Sequence, residues 1–125
     1  MNNLFLDLIN KADLHHWCTR PWCTTCGARP LRNAINAIPD LQAALESIDL
    51  EQLTAHRDWD DIVSIMVFDH GRSIDWDPVL ERWLPYAAQH AAFADRILFT
   101  DDLVYSCSPP LRERWFATCI DLALR

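Results

Sequence analysis

Asp58-Trp59-Asp60-Asp61-Ile62-Val63-Ser64-Ile65-Met66-Val67-Phe68-Asp69 is the stretch on which the fold class turns. Trp59, Ile62, Val63, Met66 and Val67 fall at i, i+3, i+4, i+7 and i+8, the spacing that gathers side chains on one helix face. A buried strand over Ile62–Phe68 is the competing reading of so apolar a run. The helical template matches at five positions, and Asp58 stands where an N-cap belongs, so the stretch predicts a helix. Ile65 and Phe68 widen its apolar face, which predicts burial between neighbours. His70-Gly71 ends it.

The same periodicity extends outward from this segment. Toward the C-terminus, Asp75 or Asp77 caps a helix with Pro78 in its first turn. Its stripe is Val79, Leu80, Trp83, Leu84, Ala87 and Ala91. Pro85 should kink or break it, with Ala94, Ile97 and Leu98 continuing to about Phe99. A short extended piece is expected at Leu103–Tyr105. Ser108-Pro109 opens a last helix in which Leu111, Trp115, Cys119 and Leu122 share a face. Toward the N-terminus, Asp49 with Gln52 resembles a capping box and predicts a short helix over 50–57. Asp40 caps a helix with Leu41, Ala44, Leu45 and Ile48 buried. Pro30 opens another with Leu31, Ala34, Ile35 and Ile38, which Pro39 stops. Leu4, Phe5, Leu8, Ile9 and Ala12 predict a first helix over 3–14. The fold class is therefore all-α, a compact multi-helix domain over residues 1–125, as an orthogonal bundle or a stack of helical hairpins.

Composition supports that class. Half of the 125 residues are hydrophobic, enough for a core without disulfides. The two glycines are too few for a turn-rich β-sandwich or barrel, and no glycine-rich phosphate loop can be drawn. No apolar run approaches the ~20 residues that span a bilayer. The N-terminus lacks the basic region of a signal peptide, and Asp7 interrupts its apolar run. A cytoplasmic protein is expected, in which cysteines stay reduced.

Against that background, His15-His16-Trp17-Cys18-Thr19-Arg20-Pro21-Trp22-Cys23-Thr24-Thr25-Cys26 does not read as helix. It holds three of the five cysteines and two of the five histidines. Cys18, Cys23 and Cys26 are spaced C-x4-C-x2-C, and His15 precedes Cys18 by about one helical turn. His15, Cys18, Cys23 and Cys26 make one imidazole and three thiolates, a donor set that suits tetrahedral zinc. Such a loop between the first two helices would tie them together and convert metal binding into folding free energy. His16, Cys107 or Cys119 are the alternative fourth ligands, although Cys119 also reads as a small buried hydrophobe. Trp17 and Trp22 are placed to pack over the metal shell.

Two other chemistries share these residues. The C-x4-C-x2-C spacing resembles that of plant-type ferredoxins, which implies an iron–sulfur cluster. The chain lacks the β-rich pattern of that fold, so zinc ranks first. Trp22-Cys23-Thr24-Thr25-Cys26 resembles the Trp-Cys-x-x-Cys of thioredoxin-type sites over these five residues, which implies a reactive Cys23. Asp13 to Pro21 does not read as the strand that must lead into such a motif.

The net charge is −7 and is unevenly spread. Residues 1–36 carry Lys11, Arg20, Arg29 and Arg32 against Asp7 and Asp13, a net of +2, which leaves −9 on residues 37–125. An acidic body disfavours direct nucleic-acid binding, because phosphates need clustered cations. It suits a basic protein partner. Asp58, Asp60, Asp61, Asp75 and Asp77 are the candidate docking carboxylates, and Trp76 the expected exposed aromatic anchor. Helix capping and solubility account for the same carboxylates without a partner. Asp69 and His70 could form a catalytic pair; a helix-end histidine more often answers the helix dipole. The expected function is a non-enzymatic interaction domain of inhibitor, immunity or adaptor type. A thiol-redox or metal-dependent enzyme using Cys23 and Cys26 is the alternative.

The zinc expectation is checked by elemental analysis of protein purified without added metal. One zinc per chain is expected, lost together with folding stability in Cys26→Ser. Metal-free protein with a reversible Cys23–Cys26 disulfide would contradict it, as would the visible absorbance of an iron–sulfur cluster.

Overall fold

The computed structural model describes residues 29–56, 59–100 and 103–125, and every regular element among them is helical. The expected first helix over 3–14 and the cysteine loop lie outside the described residues. By internal contacts the chain divides into two compact units, Met1–Gly71 and Arg72–Arg125.

In the first unit, α1 (Arg29–Asn36), α2 (Leu41–Ser47), α3 (Leu50–Ala55) and α4 (Trp59–His70) follow in order. The last of these is the segment that decided the fold class, and it is a helix with no strand character. Ile62, Val63, Ile65 and Met66 are at most 1% exposed, and α1 and α3 both pack against α4. Ile35, Ile38, Leu45, Ile48, Leu50 and Leu53 complete this core. Helices of six to eight residues are marginal alone in water, and α2 and α3 are held at their starts. Asp40 Oδ1 accepts from the Ala43 amide at 3.0 Å. Asp49 Oδ1 accepts from Glu51 and Gln52 at 3.0 and 3.3 Å, so the capping expectation at Gln52 is met by the backbone. Each such cap is worth ~1 kcal/mol.

Phe68 departs from expectation. It is 58% exposed rather than buried. The inward arc of α4 is filled by Ile62, Ile65 and Met66, while Phe68 shares the outer side with Asp61 and Ser64, seven and four residues earlier. Arg32 covers it in part, its guanidinium 5.8 Å from the ring centroid. Gly71 closes α4 with its amide 2.9 Å from the Val67 carbonyl.

In the second unit, α5 (Trp76–Ala87), α6 (Ala91–Leu98), a single 3-10 turn (Val104–Ser106) and α7 (Pro109–Ala123) enclose an aromatic core. The last helix packs on α5, α6 and the 3-10 turn. Trp83 and Trp115 are fully buried. Trp83 meets Trp76 and Phe93 edge to face at 6.4 and 5.9 Å, and Trp115 Nε1 donates to the Leu80 carbonyl at 3.3 Å.

Three expectations change here. Pro85 lies within α5 without breaking it: its ring is on the exposed side, and the helix ends two residues later at Ala87. The expected continuation to Phe99 is a separate helix, because the chain turns at Ala88–His90 before α6 starts. Leu103–Tyr105 is not extended; Leu103 and Val104 are buried by the 3-10 turn that follows Thr100.

Trp83→Ala is expected to cost about 3–5 kcal/mol in denaturant unfolding, the range for emptying an aromatic core site. Gly71→Ala is expected to cost about 1–3 kcal/mol, because its Cβ would stand 2.5 Å from the Val67 carbonyl oxygen, a backbone atom with little room to yield. Native-like stability in either variant contradicts this packing.

Candidate functional site

His15, His16, Cys18, Cys23, Cys26 and Asp58 lie outside the described residues. The other carboxylates of the acidic stretch do not share one unit. Asp60 and Asp61 occupy the first turn of α4 in the first unit, whereas Asp75 and Asp77 belong to the second. The unit boundary at Gly71 runs through what reads in sequence as a single acidic run.

Most of these side chains have structural work. Asp75 caps α5, accepting from the Asp77 amide at 3.2 Å. Asp77 accepts from the Ser108 amide at 2.8 Å and so fixes the start of α7 beside α5. Asp60 Oδ1 accepts from the Asp61 amide at 3.0 Å, and both carboxylates sit at the positive end of the α4 dipole. Both are half-buried, while Asp75 is exposed.

Trp76 is not the exposed anchor expected of it. It is 3% exposed. The reason is helical geometry: Trp76, Val79, Leu80, Trp83 and Ala87 form one stripe, and Trp76 simply begins it. Its neighbours Asp75 and Asp77 project about 100° to either side and reach water. Among the described residues, the exposed aromatics are Phe68 in the first unit, and Phe99 and Tyr105 in the second, at 58%, 78% and 58% exposure.

By sequence the first unit carries ten carboxylates against five Lys and Arg, and the second eight against six. The first unit's described residues include the carboxylates Asp40, Glu46, Asp49, Glu51, Asp60, Asp61 and Asp69. Arg32 Nε is committed to Asp69 Oδ2 at 2.8 Å. Next to that pair, His70 Nε2 lies 2.9 Å from Asn36 Oδ1. The possible Asp69–His70 catalytic pair therefore resolves into two ties between α1 and α4. In the second unit, Arg72, Arg82, Arg96, Arg112, Arg114 and Arg125 balance Asp75, Asp77, Glu81, Asp95, Glu113 and Asp121 among the described residues.

The second unit also has a groove of about 290 Å³, lined by Asp77, Pro78, Glu81, Ser108, Pro110, Leu111 and Arg114. Its charges are internally matched: Arg114 pairs with Glu81 at 2.8 Å, and Asp77 is taken by Ser108. No group of three or more His, Cys, Asp or Glu among the described residues is arranged to hold a metal ion.

Cys107 and Cys119 are both buried. Cys107 Sγ donates to the Val104 carbonyl at 2.9 Å. Burial pushes both thiols above their ordinary value of 9.0, with Asp77 adding to the shift at Cys107 and Asp95 at Cys119; Arg112 pulls partly the other way at Cys107. These surroundings disfavour the thiolate that a metal or a nucleophilic role requires. No helix among the described residues is long and apolar enough to cross a membrane.

No family model matches the chain, and neither a curated protein nor a solved structure matches it.

The thiol environments carry a pH prediction. A folded-state thiol pKa raised above the unfolded value means that the native state retains protons which the unfolded chain releases. Stability is therefore lost as pH rises past about 9. Cys119→Ala is expected to flatten part of that alkaline loss. Cys107 and Cys119 are expected to resist iodoacetamide at pH 8 in the native state and to react in denaturant. Rapid native alkylation of either would contradict their burial.

Proposed function

We propose that this chain is a non-enzymatic protein-interaction domain of the inhibitor, immunity or adaptor type, acting on a basic protein partner by steric and electrostatic masking. The observation that carries this reading is the charge of the first unit. Its carboxylates outnumber its Lys and Arg residues by ten to five, and Arg32 is already paired with Asp69. Several of the carboxylates are anchored at helix starts, so the negative field is fixed in direction and a partner need not order it on binding. Asp60 and Asp61 in α4 are the docking carboxylates of this unit. Asp58 belongs to the same segment by sequence, whereas Asp75 and Asp77 belong to the second unit.

In the same reading, His15, Cys18, Cys23 and Cys26 hold a structural zinc. One imidazole and three thiolates fit that ion, and a reducing cytoplasm keeps the thiolates available to it. The metal would supply folding free energy and no chemistry. The alternative, a thiol-redox or metal-dependent enzyme using Cys23 and Cys26, rests on the same residues and is separated from it by metal content.

Immobilised full-length protein incubated with lysate of its source cells at ~20 mM salt is expected to retain a protein rich in Lys and Arg. Release is expected by ~300 mM salt, where screening shortens the reach of surface charge. Asp60→Asn with Asp61→Asn is expected to weaken retention at least ~10-fold while helical circular dichroism is preserved. Recovery of nothing at low salt, or equal retention by the double variant, contradicts the proposal.

A further inference from the structure

We infer that Phe68 is the aromatic anchor of the docking surface and that it takes an arginine side chain of the basic partner. This rests on the acidic docking reading and names the group which that surface recognises. Phe68 is 58% exposed, the one large apolar side chain so exposed among the described residues of the first unit. A single ring is too small a patch to hold an apolar partner. It already holds a cation. The Arg32 guanidinium lies over the ring, 5.8 Å from its centroid. Arg32 is kept there by Asp69, with Nε 2.8 Å from Oδ2, so its charge is answered by a carboxylate. The fold thus sets a guanidinium on this ring beside an aspartate, and more than half of Phe68 still stands in water.

The helix supplies what a second guanidinium needs. Asp61 precedes Phe68 by seven residues on α4, which sets the two within about 20° of each other around the axis and about 10 Å apart along it. The residue between them on this side, Ser64, is small. Asp60 is turned about 80° from Phe68 to one side of this row. A cation on the ring therefore enters the field of the unit whose carboxylates outnumber its Lys and Arg by ten to five. That charge complementarity selects a cationic occupant over an aliphatic one. The planar guanidinium suits the place better than an ammonium, because it stacks on a ring while its N–H groups reach toward a carboxylate. Two basic side chains about 10 Å apart on the partner would engage Phe68 and Asp61 together.

Fluorescence anisotropy of labelled hexa-arginine and hexa-lysine peptides, titrated with the full chain at ~20 mM salt, tests this. Hexa-arginine is expected to bind the tighter of the two. Phe68→Leu is expected to weaken hexa-arginine about 2- to 5-fold, the size of an exposed cation–π contact. Phe68→Trp is expected to bind it at least as tightly as the native chain. Both variants keep an apolar side chain at an exposed position, so helical circular dichroism should stay unchanged. Tighter binding of hexa-lysine overturns the inference, as does an equal loss in the leucine and tryptophan variants. Binding that Asp60→Asn with Asp61→Asn weakens but Phe68→Leu leaves intact overturns it too, and leaves the acidic docking reading standing. Binding of neither peptide by the native chain overturns both.

Discussion

Aspartate side chains that accept from first-turn backbone amides are the interactions on which the architecture depends. Four of the seven helices described have eight residues or fewer. Segments that short do not persist in water by propensity, because the cost of nucleation is spread over too few hydrogen bonds. Each must be fixed at its ends and buried along one side. Asp40 and Asp49 fix the starts of α2 and α3, Asp75 does the same for the longer α5, and Asp77 extends the principle by accepting from the amide just ahead of α7, whereas α6 starts at His90 without a side-chain cap. Once the short helices are fixed, their stripes can close over α4 in one unit and around Trp83 and Trp115 in the other.

This dependence gives the acidic composition two meanings at once. A carboxylate at an N-cap satisfies orphan amides and still presents charge outward. Negative charge is therefore built into the scaffold of the first unit and is not a mobile fringe on it. The second unit distributes charge differently. Arg114 pairs with Glu81 and Arg125 with Asp121, and the unit's large exposed apolar side chains among the described residues are Phe99, Tyr105, Ile120 and Leu124.

Periodicity carried most of the architecture into view. The α4 helix, the caps at Asp40 and Asp49, and the burial of Trp83, Trp115 and Cys119 follow from spacing and residue type alone. Trp76 and Phe68 depart from expectation for one reason, which is direction around a helix axis. Trp76 looked exposed because aspartates flank it, yet residues one apart point about 100° away from each other and say nothing of where the central side chain goes. The signal was present in its spacing to Val79, Leu80 and Trp83. Phe68 is the opposite case: its apolar run predicts an inward side chain, yet it shares a side with Asp61 and Ser64. The division at Gly71 and the pairing of Asp69 with Arg32 depend on contacts between distant residues, and no local pattern encodes them. The cysteine loop, the sharpest chemical signal in the sequence, remains a proposal carried by ligand type and spacing.

The account's central claim is that capping aspartates hold the short helices through their side-chain acceptor and not through net charge. Denaturant unfolding of Asp49→Asn against Asp49→Ala tests it most directly. Asparagine keeps an oxygen that the Glu51 and Gln52 amides can reach, so it should lie within about 0.5 kcal/mol of the native chain, while alanine should lose about 1 kcal/mol or more. Equal losses in the two variants, or no loss with alanine, would contradict the account.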